Sequence, residues 1–461
     1  MKHTPQGQVF ALLVALLIWV GVCWRIYDSS LLDKPAFDFF QFWGVATVQK
    51  ASGYTLGSPY PSVARYSERL IEYALASADD FPLVAATQRW QTLQGGNPTL
   101  RNNGPLLYSL YALLPERYTT AIRLYRGAML VSFVLGFWFL RHLFPGHAAW
   151  LLALAGVSQV GLIPPIADFS NGNVSTFLFS SLVGLVALAN LLPSLSSPRR
   201  IPVATALGAG LVFLPLFKPI IALPCLLLTV HLLATSDRKA WAALAVGGAG
   251  AGLFGFTLPC LFFRTWTVWG DWYQAVWLRN AYTYPIRLGN ASLTMLLAEW
   301  SETSPKVIAL AMGAILVVSL LAVGLRRRTA MGQPSGDPVA WWFALKPPVA
   351  DPALLVCIGI LVTLGMSPLA WPHYYTLAIF PGLWLLSRRG QRGLNFGLVI
   401  AFCLACSKGL FALLQNLDPG PLAFSMIAVS WVPLWLGILR VLGAPAAVPH
   451  PMTKTEDGSL M

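Results

Sequence analysis

The chain has little charge. Asp, Glu, Lys and Arg make up only 11% of its 461 residues, and 56% are hydrophobic, whereas soluble domains carry about 25% charged residues. That scarcity excludes an ordinary water-soluble enzyme and a disordered chain. A nucleic-acid-binding protein is set aside too, although 31 basic residues face 18 acidic ones for a net +13. Lys and Arg accumulate on the cytoplasmic loops of membrane proteins, so the positive excess reads first as topology. Catalytic signatures are missing as well. There is no P-loop, HExxH, GxSxG or strand-bound GxGxxG, and no carboxylate cluster of the kind a metal site needs, so neither metal nor cofactor is expected. Cys23, Cys225, Cys260, Cys357, Cys403 and Cys406 all lie in apolar runs and read as buried membrane thiols. No internal repeat is visible, which removes the usual signature of an inverted-repeat transporter.

What is present is hydrophobic length. Mean hydropathy is +0.63. An apolar run from Val9 to Trp24 follows Met1-Lys2-His3, lacks a small-residue cleavage site and reads as an uncleaved signal anchor. Further runs fall near 122–143, 148–163, 173–192, 201–217, 219–234, 240–263, 306–325, 353–366, 369–387, 393–414 and 421–442. The expectation is an all-α polytopic membrane protein of about twelve spans. Several of these are shorter than the ~20 residues a perpendicular helix needs. With the N-terminus in the cytoplasm, alternate connections carry Arg141, Arg199–Arg200, Arg238–Lys239, Arg326–Arg328 with Lys346, and Arg388–Arg389 with Arg392. The opposite short loops, 164–172, 367–373 and 415–421, contain no Lys or Arg. That alternation predicts a plasma-membrane protein with both termini cytoplasmic. Residues 1–445 then form a single transmembrane domain, and 446–461 a disordered cytoplasmic tail. Two long loops, 27–121 and 264–305, fall outside; the first is too long for a mere connector.

The candidate chemistry lies at these exterior edges. Asp38 is the one carboxylate in Ala36-Phe-Asp-Phe-Phe-Gln-Phe-Trp-Gly-Val-Ala46. Phe39, Phe42, Trp43 and Ala46 have helical spacing, which predicts an amphipathic helix lying on the membrane surface. Asp38 would be its first-turn acid or a general base at the lipid–water boundary. Asn102, Asn103 and Tyr108 offer uncharged groups that read sugar hydroxyls, or serve as turn residues. Asp168-Phe-Ser-Asn-Gly-Asn173 reads as a short loop, with Asn173 a helix cap or a polar contact. Lys218, in a tight turn before Pro219, either snorkels to the interface or meets a phosphate. Arg287, Asn290 and Ser292 precede an apolar helix, and Ser367-Pro-Leu-Ala-Trp371-Pro-His373-Tyr374-Tyr375 sets an imidazole and two phenols at a membrane edge. Lys408 looks like a charge a turn or two inside its span.

The order of these blocks resembles glycosyltransferase family 87 of the type C (GT-C) superfamily. It runs from Asp38 among aromatics through Gly53-Tyr54, Asn103-Gly-Pro105, Gly172-Asn173, Lys218-Pro219 and Gly289-Asn290-Ala-Ser-Leu293 to Ser367-Pro-Leu-Ala-Trp371-Pro-His373-Tyr374. The resemblance spans about residues 8–440, and the last two blocks are its most specific pieces. It implies a hexosyltransferase using a polyprenyl-phosphate-linked sugar, mannose first, on the outer face of the plasma membrane, with an envelope glycolipid or glycan as acceptor. Asp38 matches the catalytic carboxylate. Lys218, Arg287 and His373 are then expected at the donor phosphate, and Asn102, Asn103, Asn173, Asn290 and Tyr374 around sugar and acceptor. Asn103-Gly-Pro105 replaces an aromatic-Pro-Pro pattern, and 61–100 reads as an insertion, which leaves sugar and acceptor open. The chemistry agrees. A phosphate leaves without a strong general acid, unlike the two-carboxylate glycoside hydrolases, so one base and cations from Lys218, Arg287 or a protonated His373 suffice.

Two other readings stand beside it. A transporter or flippase of lipid-linked sugars should concentrate ionisable residues near the bilayer midplane, and here nearly all charges fall at loop edges. A non-catalytic assembly factor would share the fold. The topology is testable directly. Asp38→Cys in cells should react with a membrane-impermeant thiol reagent from outside; labelling only from the cytoplasm would invert the assignment.

Overall fold

The computed structural model describes residues 35–61, 63–77, 79–94, 103–144, 161–278, 285–286, 289–330, 351–388, 392–418 and 421–443, with short stretches in 13–22 and 154–159. Among them the chain is helical, and the one extended pairing is an isolated antiparallel bridge between Leu162 and Ser407. Among the described residues six helices are long and apolar enough to cross a membrane: Tyr118–Leu143, Ser175–Ser194, Ser197–Phe217, Arg238–Phe262, Pro305–Arg326 and Leu422–Gly443. Three shorter apolar helices, Pro219–Thr235, Pro352–Met366 and Gly393–Ala405, lie with them. The chain is a helical membrane protein. The Val9–Trp24 anchor, Lys346 and the 446–461 tail fall largely or wholly outside the described residues.

The closest helix pair sets the direction of the bundle. Ser197–Phe217 and Arg238–Phe262 run parallel, and Arg200 bonds Asp237 at their shared starting end at 2.9 Å. Their backbones meet at Gly208 and Gly247, where a Cβ would fall 2.0 Å from the Leu244 carbonyl and 1.9 Å from that of Thr205. Small residues let membrane helices approach this closely. At the far end, Lys218 and Phe262 arrive beside the helices built by the long first loop.

That loop is a helical cap of Phe37–Ala51, Val63–Ala76, Phe81–Gln94 and Pro105–Tyr111. The helix carrying Asp38 does not lie on the surface as its spacing predicts. Every residue from Phe39 to Gln49 is buried. Its aromatics point round the whole circumference, and a helix apolar all round is buried, not interfacial. Phe39 meets the rings of Tyr111, Tyr118 and Tyr125, and Trp43 meets Tyr73 and Tyr118. Two of its buried polar side chains are tied down: Trp43 Nε1 donates to the Pro115 carbonyl at 2.9 Å, and Gln49 bonds Phe262 O and Tyr66.

Three more expectations change. The 164–172 loop is the helix Ile163–Asn171, started by Pro164-Pro165 and ended by Gly172 in the left-handed region at φ +64°. The 393–414 run breaks at Cys406–Ser407, because Ile163 N donates to the Cys406 carbonyl and Ser407 caps a second helix, Lys408–Leu417. Lys408 is therefore an exposed first-turn residue, not a charge inside a span. The 369–387 run divides into a 3-10 turn, Pro372–Ala378, and the helix Ile379–Ser387.

Candidate functional site

Five segments far apart in sequence converge where the cap meets the bundle. Asp38 sits in the first turn of Phe37–Ala51, half-buried. Its Oδ2 accepts the Asn173 side-chain amide at 2.8 Å, and Oδ1 has no partner among the described residues. Asn173 is the hinge between Ile163–Asn171 and Ser175–Leu191, and it does not cap the latter. Its Oδ1 accepts from Val174 N at 2.7 Å. The cap is Asp168, which accepts Ser175 N at 3.0 Å, Thr176 N at 2.7 Å and Thr176 Oγ1 at 2.5 Å.

Lys218 ends Ser197–Phe217 and is buried. Its Nζ donates to Asn103 Oδ1 at 2.6 Å and lies 5.8 Å and 5.6 Å from the ring centroids of Phe42 and Tyr374. Among the described residues no carboxylate comes within ion-pair distance of it. Asn103 is held in turn by Tyr60, whose hydroxyl donates to its carbonyl at 2.6 Å, and by the Tyr108 side chain. Asn103 thus holds the ammonium, which the sugar-reading expectation did not foresee. His373 and Tyr374 enter from the 3-10 turn with rings edge to face at 4.6 Å. His373 is buried and its Nε2 finds no partner among the described residues.

Burial governs the charges. It raises the Asp38 carboxyl above its ordinary range, against the Asn173 bond and the Lys218 charge, which pull it down. It lifts Asp168 to about 6, with the Thr176 and Ser175 bonds opposing. It lowers Lys218 to about 8, while the Asp38 and Asp168 charges hold it up. Burial and then the Lys218 charge push His373 well below its usual value. Both effects disfavour the imidazolium, so His373 stands beside Lys218 first as a hydrogen-bonding group.

Asn290 stands behind the site. Its Nδ2 donates to the Pro368 carbonyl and its Oδ1 accepts Ala370 N, both at 3.0 Å. Ala291 N donates to Ala370 O at 2.7 Å, and Tyr375 OH to Ala291 O at 2.7 Å. The GNASL and SPLAWPHY blocks are therefore one stapled unit that supports His373 and Tyr374. Asn102 and Arg287 lie outside the described residues.

Two residues escaped the sequence reading. Asp168 was visible in its loop, but its capping partners Ser175 and Thr176 lie seven and eight residues on. Arg126 is fully buried inside Tyr118–Leu143 and donates to the carbonyls of Phe169 and Ser170 at 3.3 Å and 3.0 Å. A cation at a helix C-terminus favours the dipole, so it anchors the end of Ile163–Asn171. An Arg within an apolar run was the available signal.

No family model, no curated protein and no solved structure matches the chain.

Gly172 tests the geometry. It has φ +64°, and a Cβ there would fall 2.6 Å from Phe39 Cβ and 3.2 Å from Ala36 Cβ. Gly172→Ala should cost about 1–3 kcal/mol of stability, seen as a lower Tm of the purified protein. An unchanged Tm would mean that the two helices are not packed this closely.

Proposed function

We propose that the chain is a GT-C-type membrane glycosyltransferase of about twelve spans. It moves a hexosyl group, mannose as first candidate, from a polyprenyl-phosphate donor to an envelope glycolipid or glycan. The observation that carries this reading is the meeting of a half-buried carboxylate, Asp38, with a buried ammonium, Lys218, that has no carboxylate in contact among the described residues. Such an ammonium is costly unless an anion completes it, and a phosphate ester would do so. Support for the orientation comes from the ends of the helices. Arg141, Arg200, Arg238, Lys239, Arg326 and Arg388 lie at the helix ends away from the site, which supports a site on the extracytoplasmic side of the plasma membrane and cytoplasmic termini.

The chemistry is a single displacement with inversion. The acceptor oxygen forms its bond to the anomeric carbon as the bond from that carbon to the phosphate oxygen breaks. Asp38 Oδ1 takes the acceptor proton, while Asn173 holds Oδ2. The departing phosphate carries the electron pair, and Lys218 stabilises its charge. Neutral His373 supplies a hydrogen bond, and the aromatic walls from Phe42 and Tyr374 keep water from competing as acceptor. The polyprenyl tail lies along the spans. Asn290 supports the His373 turn and does not itself meet sugar.

The test is transfer by purified protein in detergent from radiolabelled polyprenyl-phosphate sugars to envelope lipid extracts. Wild type should transfer, and Asp38→Asn should lose on the order of 10²–10⁴-fold in kcat, the range of a lost general base. No transfer from any donor, or a fully active Asp38→Asn, sinks the reading. The pH profile should be bell-shaped. Asp38 must be ionised, so the rate rises with pH through its raised value. Lys218 must be protonated, so the rate falls as pH passes about 8. Lys218→Arg, whose guanidinium stays charged, should remove the alkaline fall.

A further inference from the structure

The turn that presents Asn173 to Asp38 is itself built by a buried carboxylate with no part in the displacement. Asp168 belongs to Ile163–Asn171 but gives both oxygens to the first turn of the next helix, accepting Ser175 N, Thr176 N and Thr176 Oγ1. Asn173 N donates back to the Asp168 carbonyl at 3.0 Å, so side chain and backbone of one residue close the turn from both sides. Arg126 fixes the carbonyls of Phe169 and Ser170, and Tyr125 OH donates to the Asn173 carbonyl at 2.8 Å. Within this turn the Asn173 amide has one workable orientation. Its oxygen is claimed by Val174 N, so its NH₂ must face Asp38. A flipped amide would set oxygen against carboxylate and NH₂ against N–H.

We infer that Asp168 is a positioning residue for the proposed general base. It locks the Gly172–Val174 turn so that Asn173 fixes Asp38 Oδ2 and leaves Oδ1 for the acceptor hydroxyl. The inference rests on the glycosyltransferase reading for its consequence in catalysis, but its geometry can be measured apart from activity. Asp168 has a second effect through space. With Asp38 it supplies negative charge near Lys218, which otherwise faces neutral His373, Tyr374 and Asn103. Removing that charge lowers the pH at which Lys218 gives up its proton.

The experiment compares full-length Asp168→Asn, Thr176→Val and Thr176→Ser with wild type in detergent. Asp168→Asn should lose about 100-fold in kcat, as misplaced catalytic groups do, with donor KM little changed, and its alkaline limb should move to lower pH. Thr176→Val keeps the charge and removes one bond. It should lower kcat by less, leave the alkaline limb in place, and be rescued by Thr176→Ser. Hydrogen exchange read by mass spectrometry should be faster in Asp168→Asn over both 172–178 and 36–42. Wild-type kcat and alkaline limb in Asp168→Asn would overturn the inference, as would faster exchange confined to 172–178. If wild type transfers no sugar, the proposed function fails and the exchange measurement alone decides for or against Asp168. If Asp168→Asn does not fold, Thr176→Val decides: a loss rescued by Thr176→Ser supports the inference, and wild-type activity overturns it.

Discussion

The arrangement depends on one buried cation. The Lys218 ammonium is removed from water without a carboxylate in contact among the described residues, held by the Asn103 oxygen and flanked by the faces of Phe42 and Tyr374. Taking such a charge out of water costs several kcal/mol before compensation. A hydrogen bond, two ring faces and the more distant charges of Asp38 and Asp168 offset part of it. None of these groups is a neighbour of Lys218 in sequence. Asn103 comes from the cap, Asp38 from its buried helix, Asp168 from a helix between spans, and Tyr374 from a 3-10 turn. The charge can be buried only when cap and bundle have closed on each other, so site assembly and cap docking are one event.

The cap explains why Asp38 is held and not merely present. A carboxylate on a surface helix would be solvated and mobile. Phe37–Ala51 is instead buried from Phe39 to Gln49, largely against the rings of Tyr73, Tyr108, Tyr111, Tyr118 and Tyr125, and the glycine at 172 lets the neighbouring turn approach the backbone closely enough for Asn173 to reach Oδ2. The stapled unit of 289–292 and 367–371 does the same for His373 and Tyr374 from the other side. Asp38, His373 and Tyr374 are thus each set by backbone whose own bonds are satisfied elsewhere, the condition for preorganised electrostatics.

Much of this was legible in the sequence, and the exceptions have physical reasons. Long apolar runs marked Ser175–Ser194, Arg238–Phe262 and Pro305–Arg326, because periodicity and length report a helix's own surface. Asp38, Asn103, Asn173, Lys218, His373 and Tyr374 stood out as polar groups at the ends of such runs, and the structure gathers all six. Partners are another matter. Nothing local tells that the Asp38 helix is covered on this side, since the cover comes from Leu70, Tyr73 and Tyr118, far along the chain. Capping by Asp168 across a helix junction lies beyond the short spacing of a capping box. Asn290 read as a sugar contact because an asparagine amide looks alike whether it faces a ligand or two backbone groups. The break at Cys406–Ser407 is made by Leu162 and Ile163, some 240 residues earlier in the chain.

The most direct measurement is an experimental structure of the protein with a non-transferable polyprenyl-phosphate sugar bound in nanodiscs. In that complex a phosphate oxygen is expected at hydrogen-bond distance, about 2.7–3.2 Å, from Lys218 Nζ, with the anomeric carbon turned toward Asp38 Oδ1 and the polyprenyl chain among the spans. A donor headgroup bound away from Lys218, or an anomeric carbon screened from Asp38, would contradict it.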